Sequence, residues 1–516
     1  MHNSTGNWRD DVAAAGKLTV HGLFRACVRR DPQGIALNTK DRQLSYAELD
    51  DRVLRLSAGL RGRGAAHGDR IALLSENRQE YAELELAAAC LGAIVACQNW
   101  RLSRSELQHC IDLVEPALVI ASQRFEATAR SLDLRGRPLL VIEHDYDALL
   151  AAQPLAELPA VDPEDGLVIL YTSGTTGLPK GALISHRAEM ARNMVLRVDM
   201  HAKESDGFVA WAPMFHMGST DQVLGALMSG ATVHIVDGFD AERIVDLMEA
   251  HELGWMLLMP GSIEPVVDIL QKTGRRPKSI RAVGAMADLV PAKLVAELSR
   301  LTNAPYLNSF GATETGLPPA SSCLLAPGAI PDNLSKRKSS FCDVRLVGPD
   351  GREVEDGEPG EASVRGPTVF SGYWNAPETN ARDFAGGWFR MGDLFRRNPD
   401  GSFDFVDRAK YMIKSGGENI YPAEIERVLL TDPRVSDAIV VRQKDERWGE
   451  VPVAFIARTD EALTEGDVEA LCRRELAGYK RPKAVHFIPF EEFPRSTTGK
   501  ILRHEMEARL GSQPTA

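Results

Sequence analysis

The 516-residue chain reads as an α/β protein: a large N-terminal domain of several subdomains, layered α/β plus a small β-subdomain, followed by a small α+β C-terminal domain. Three observations predict this. A chain of that length exceeds what a single hydrophobic core serves. Apolar runs of strand type alternate with helix-period segments through about residue 170, the pattern of a layered body with parallel pairing. From Ile413 onward a second set of elements begins, with strands expected over Ala438 to Arg442 and Val451 to Ala457 and a helix over Gly466 to Leu476. The two domains are therefore set at 1–409 and 410–516.

Taken in order, Thr19 to Arg30 place Val20, Leu23, Phe24, Cys27 and Val28 at helical spacing, which predicts an amphipathic helix. Ser45 and Glu48 form a capping box that should open a helix running through Leu60. A strand is expected over Asp69 to Leu74 and a helix over Arg78 to Cys90. The apolar run Leu84 to Cys97 is too short to span a bilayer, carries Glu85 and reads as a buried helix. Leu167 to Leu170 is a buried strand. Further strands are expected over Ala231 to Val236 and Trp255 to Pro260, bounded by Gly230, Gly254 and Pro260, with a helix near Ala241 to His251 between them. Arg281 to Met286 is another strand, ending in small residues. Pro318 to Phe341, rich in Pro and Ser and carrying Lys336-Arg337-Lys338, reads as a solvated surface segment. Short alternating runs between Gly and Pro turns from Phe341 to Pro367 predict the small β-subdomain.

Composition narrows the function. A net charge of −12 gives no electrostatic footprint for nucleic acid or anionic membrane, so neither is an expected partner, and no segment reads as an integral membrane span. The seven cysteines are scattered and contain no CxxC pair, which fits free thiols in a reducing compartment. The polar start lacks the apolar core of a secretion signal, and a cytoplasmic location is expected.

The chemistry concentrates at Tyr171-Thr172-Ser173-Gly174-Thr175-Thr176-Gly177-Leu178-Pro179-Lys180-Gly181. Three glycines, four hydroxyl residues and one lysine let successive N–H groups face inward as a polyphosphate cradle at the end of a strand. It is not a Walker loop, which needs a longer gap between its glycines and Ser or Thr after the lysine, where this chain has Gly181. Trp211 to Ser219 sets Phe215 and His216 among aromatic and sulfur side chains, suiting the wall of an apolar pocket. Phe215-His216 offers no anion to a buried ammonium, and Asp221 is the nearest carboxylate.

YTSGTTGLPKG resembles the phosphate loop of the adenylate-forming superfamily, which includes acyl-CoA synthetases, aryl-CoA ligases, luciferases and peptide-synthetase adenylation domains. Four later segments resemble that family in the same order: Leu307 to Thr315, with Phe310 where tyrosine is usual; Gly387 to Leu394, with Met391 where threonine is usual; Asp407 to Glu426; and Arg495 to Arg503. The GSxGxP turn common in the family is absent. The resemblance implies an ATP- and Mg²⁺-dependent ligase that activates a small-molecule, hydrophobic carboxylic acid as acyl-AMP and transfers it to coenzyme A, releasing AMP and pyrophosphate; an amino acid is disfavoured, since Phe215-His216 stands where peptide-synthetase adenylation domains carry an aspartate for the substrate's amino group.

Under that resemblance, Thr172, Ser173, Gly174, Thr175, Thr176, Gly177 and Lys180 hold the phosphates, and Asn308, Ser309, Phe310, Gly311 and Thr313 line the nucleotide site. Phe310 would offer an apolar face to adenine, Thr313 would bond the α-phosphate, and Glu314 would ligate Mg²⁺. Asp393 would accept the ribose hydroxyls, Arg408 would hold ribose and phosphate, and Lys414 would lie near the adenylate. His216, Phe215, Gly284, Ala285 and Met286 would border the acid. Lys500, with Thr175 and Glu314, would serve catalysis, and Lys410 would be the hinge of a mobile C-terminal domain that exchanges the Lys500 turn for Gly416-Gly417 beside pantetheine. Two alternatives stay open: an adenylating enzyme that loads a carrier-protein phosphopantetheine thiol, and a non-catalytic nucleotide-binding homologue. The residues equally leave open whether the chain forms a homodimer.

Overall fold

The computed structural model describes residues 8–172, 178–416, 418–495 and 501–511. Its centre is a six-stranded sheet in the order 139–141, 118–121, 70–74, 94–97, 166–172 and 180–185, parallel throughout except for the last pair. Strands buried on both faces read as continuous apolar runs, which is why Ile71 to Leu74, Leu118 to Ala121 and Leu167 to Leu170 show no alternation. The Tyr46–Gly62 helix opens on the expected capping box, Ser45 Oγ accepting from the Glu48 N–H and the Glu48 carboxylate accepting from the Ser45 N–H at 2.8 Å.

One expectation fails inside this sheet. Leu84 to Cys97 is not a single helix: the helix Gln79–Leu91 ends at Gly92, whose φ of +70° closes it in the left-handed region, and Ile94–Cys97 is a strand. The β-branched pair Ile94-Val95 lies between the Arg70–Leu74 and Gly166–Thr172 strands, so sheet pairing takes over from the helical run.

A second parallel layer holds the strands 35–38, 233–235 and 208–210, edged by 43–45. A third holds 252–256, 279–283 and 306–307, edged by 324–325. The strand expected from Trp255 instead begins at Glu252, so Gly254 lies within it and not at its boundary. The β-subdomain is an antiparallel sheet built from 343–347, 359–365, 388–397 and 403–408 with a short edge at 384–385.

The segment 318–341 is a solvated surface only in part: residues 326–330, 332–333 and 337–338 are exposed, whereas its start and Lys336 are buried. Pro319 lies in a strand paired with Gly311, and Lys336 is fully buried, its backbone exchanging hydrogen bonds with Phe403. The lysine is inside because Asp288 and Asn308 receive its ammonium, at 2.5 and 2.6 Å.

The C-terminal domain has a five-stranded sheet from 418–420, 413–415, 449–458 and 435–445, with 484–487 parallel to 449–458. Its own apolar clusters form around Ile425, Val440 and Ile456 on one face and Val441, Phe455 and Met506 on the other. Among the described residues no helix is long and apolar enough to cross a membrane, and all seven cysteines are free.

Candidate active site

The glycine-rich segment joins two antiparallel strands whose register pairs Thr172 with Lys180. Ser173, Gly174, Thr175, Thr176 and Gly177 lie outside the described residues, as do Gly417 and Lys500. Lys180 emerges from the strand end and places its ammonium 3.7 Å from the centre of the Tyr373 ring. Tyr373 in turn donates its hydroxyl to Glu314 Oε1 at 2.7 Å. Burial and the Glu314 carboxylate push the Tyr373 phenol up, keeping it a donor, while burial draws the Lys180 ammonium below its ordinary value against the pull of Glu314 and Asp383.

Tyr373 was not singled out by sequence reasoning. Its signal is the run Ser371-Gly372-Tyr373-Trp374, which pairs through its backbone with Gly181 to Leu183, beside the phosphate segment. Glu314 is held by its backbone as well, its carbonyl accepting from the Phe370 N–H at 2.8 Å. With one carboxylate oxygen on Tyr373 and no further hydrogen bond to the carboxylate among the described residues, Glu314 suits a hard cation that takes one carboxylate and completes its shell with phosphate and water.

The ribose candidates meet across a strand pair. Asp393 lies opposite Arg408 in register, and Arg408 Nε donates to Asp393 Oδ1 at 2.9 Å. The carboxylate is 1% exposed while the guanidinium is 40% exposed, so Arg408 reaches outward from a buried anchor. Asp393→Ala is expected to weaken ATP binding about tenfold or more, since a buried hydrogen-bonded charge pair is broken; unchanged ATP affinity by calorimetry would remove Asp393 from the ribose site.

Other expected site residues are placed differently. Asn308 is fully buried and spends its amide inside the protein, donating to the Leu334 and Ser335 carbonyls and accepting from Lys336, so it backs the site instead of facing a nucleotide. Ser309 Oγ accepts from the Met286 N–H at 3.2 Å, which joins the Gly284-Ala285-Met286 turn to the 308–313 segment. Phe310 is stacked on Phe405 with ring centres 4.9 Å apart and meets Phe395 edge-on, so one of its faces already belongs to the β-subdomain. Gly311 has a reason of its own: a Cβ there would fall 2.0 Å from the Gly316 carbonyl oxygen. Thr313 turns its carbonyl toward Arg192.

On the acid side, His216 caps the Met217–Ser229 helix, its Nδ1 accepting from Gly218, and Phe215 packs edge-on against Trp100 with centroids 5.8 Å apart. Trp211 and Trp255 both have their indole N–H satisfied by backbone carbonyls, of Leu257 and Gly284, leaving flat apolar surfaces around the segment.

In the C-terminal domain, Lys414 is exposed, and Gly416, at φ +58°, lies where an added Cβ would fall 2.6 Å from the Trp448 ring. Lys410 is in the short turn Ala409–Tyr411, immediately after the Arg408 strand and before the first strand of the C-terminal sheet. Lys480 is held by both oxygens of Glu424 at 2.8 Å.

A layered α/β body, a cation and a carboxylate bridged by one tyrosine, and an acid–arginine pair leading into a small separate domain fit the adenylate-forming resemblance of the sequence. Residues 24–374 match the AMP-binding enzyme family and residues 424–500 the AMP-binding enzyme C-terminal domain, and the chain belongs to that family. It is 35% identical to an indoleacetate–CoA ligase of Aromatoleum aromaticum, over 92% of this chain and 95% of that one. It is also 35% identical to a feruloyl-CoA synthase of an Amycolatopsis species, covering 94% and 97%. The o-succinylbenzoate CoA synthetase of Bacillus subtilis, solved with its acyl-adenylate intermediate, superposes with a TM-score of 0.83 at 27% identity, covering 94% and 97% of the two chains. The chain is an ATP-dependent acyl-CoA ligase.

Proposed function

We propose that the chain couples an aromatic carboxylic acid to coenzyme A, with Lys180, Glu314, Asp393 and Arg408 holding the nucleotide and the segments around His216 and Gly284 bordering the acid. The observation that carries this reading is the contact chain Lys180, Tyr373, Glu314, which sets a cation and a carboxylate on either side of one phenol. Trp100 packed edge-on against Phe215, and Trp255 bonded to the Gly284 carbonyl, put aromatic side chains at both segments taken to border the acid, which suits a flat acid. The names of similar proteins, ligases for indoleacetate, ferulate and 2-succinylbenzoate, support an aryl substrate.

Carboxylate attack on the α-phosphate brings two anions together, and Lys180 and Lys500 supply positive charge where negative charge accumulates. Glu314 would hold Mg²⁺, which neutralises phosphate charge when bound. The thiol must then reach the acyl carbon from the side that Lys500 occupied. Rotation of the C-terminal domain about Lys410 resolves that conflict by bringing Gly416-Gly417 to the site. Lys410→Pro is therefore expected to impair thioester formation while acid-dependent pyrophosphate exchange persists; loss of both half-reactions together would remove Lys410 as the hinge.

The test of the function is a panel of aryl, aryl-alkanoic, fatty and polycyclic acids assayed for acid-dependent pyrophosphate exchange and for AMP release on adding free CoA. Aryl acids are expected to give the highest kcat/KM. Exchange without CoA-dependent AMP release would point to a carrier-protein thiol, and exchange with no acid would overturn the assignment.

A further inference from the structure

Three buried carboxyl groups and one guanidinium meet where two helices of the N-terminal domain, His186–Asp199 and Met217–Ser229, pack together: Glu85, Glu189, Asp221 and Arg192. Such a group is costly in an interior unless its members satisfy one another. Burial raises the Glu85 and Glu189 carboxyls well above their ordinary range, with Asp221 adding to it. Asp221 is left as the counter-ion of Arg192, at 3.1 and 3.3 Å from Nη1.

The remaining donors of Arg192 leave the helix pair altogether. Nη2 donates to the Thr313 carbonyl at 3.0 Å and Nε donates to the Thr368 carbonyl at 3.2 Å. The stem of the side chain lies under the same loop: Gly316, at φ +75°, is where an added Cβ would fall 2.8 Å from Arg192 Cγ and Cδ. Thr313 precedes Glu314 in its turn, and Thr368 begins the segment that holds it, whose Phe370 N–H bonds the Glu314 carbonyl and whose Tyr373 hydroxyl bonds its carboxylate. One rigid fork thus ties the turn carrying Glu314 to the segment carrying Tyr373, and its other edge is anchored on Asp221.

We infer that Arg192, braced by Asp221, is a positioning residue that sets the Thr313–Gly316 turn, and through it the Glu314 carboxylate, at the nucleotide site. The inference rests on the nucleotide-binding reading of that turn, but its first readout does not need catalysis. Arg192→Lys keeps a cation beside Asp221 and loses the planar fork, so the two carbonyl bonds cannot both be kept.

The experiment is amide hydrogen exchange of the free full-length protein, followed by peptides covering residues 309–318. In the wild type these amides, tied by the Thr315-to-Ala312 bond and the strand pair 311–312 with 316–319, should be protected. In Arg192→Lys they should exchange about tenfold faster, with peptides elsewhere in the central sheet unchanged. KM for ATP should rise about tenfold while KM for the acid stays within about twofold. Asp221→Asn, which keeps the fork and removes its brace, should show a smaller change in the same peptides and keeps the inference testable if the lysine variant does not fold. Fast exchange of residues 311–316 in the wild type, or unchanged exchange there in a folded Arg192→Lys or Asp221→Asn protein, overturns it. Absence of acid-dependent pyrophosphate exchange in the wild type would instead remove the functional reading and leave the positioning result standing.

Discussion

Lys500→Ala is expected to slow acyl-adenylate formation by roughly 100- to 1,000-fold while leaving the conversion of supplied acyl-AMP and CoA to thioester nearly intact. The magnitude is that of removing one preorganised donor from developing transition-state charge. The asymmetry follows from the proposed domain rotation, in which the lysine leaves the site before the thiol arrives. Arg495 and Ile501, on either side of Lys500 in the chain, pair with each other, and Arg495 is anchored on Asp437 of the C-terminal sheet at 2.6 Å, which ties both residues to that domain. The two half-reactions are measured separately, by acid-dependent pyrophosphate exchange and by thioester formation from synthetic acyl-AMP. Equal loss of both would contradict the role given to Lys500 and would point to a general defect of the C-terminal domain.

How much of this was legible beforehand differs by kind of residue. Strands and caps that depend on local pattern were readable: the apolar run Leu167 to Leu170 and the Ser45–Glu48 box stand where the sequence puts them. What local pattern does not carry is a long-range partner. Lys336 in a basic cluster reads as solvated until Asp288, 48 residues away, and Asn308 are seen to enclose it. Arg192 and Asp221, 29 residues apart on two helices, each look like surface charges in isolation. Tyr373 gains its meaning only because its strand pairs with Gly181 to Leu183, nearly 200 positions earlier in the chain. The helix expected from Leu84 to Cys97 failed for a related reason: Ala-rich and β-branched halves share one apolar run, and pairing with two neighbouring strands decides the second half.

Lys336→Met should produce the largest loss of stability among the substitutions considered. The ammonium has no exposure, and its partners Asp288 and Asn308 lie beside Met286 and Ser309, the two residues joined by the Met286 N–H to Ser309 Oγ bond. Removing one member of a buried pair leaves the other uncompensated, at a cost of about 3–5 kcal/mol, whereas removing both charges together is often close to neutral. Lys336→Met combined with Asp288→Asn should therefore recover most of the midpoint lost by the single variant in urea unfolding followed by tryptophan fluorescence. Trp211 and Trp255 report on the affected layer, since Trp255 bonds the Gly284 carbonyl. A single variant with the wild-type midpoint would mean that the pair contributes no net stability. A double variant as unstable as the single would mean that the stem of the lysine, and not its charge, fills the space between Asp288, Asn308 and the Phe403 strand.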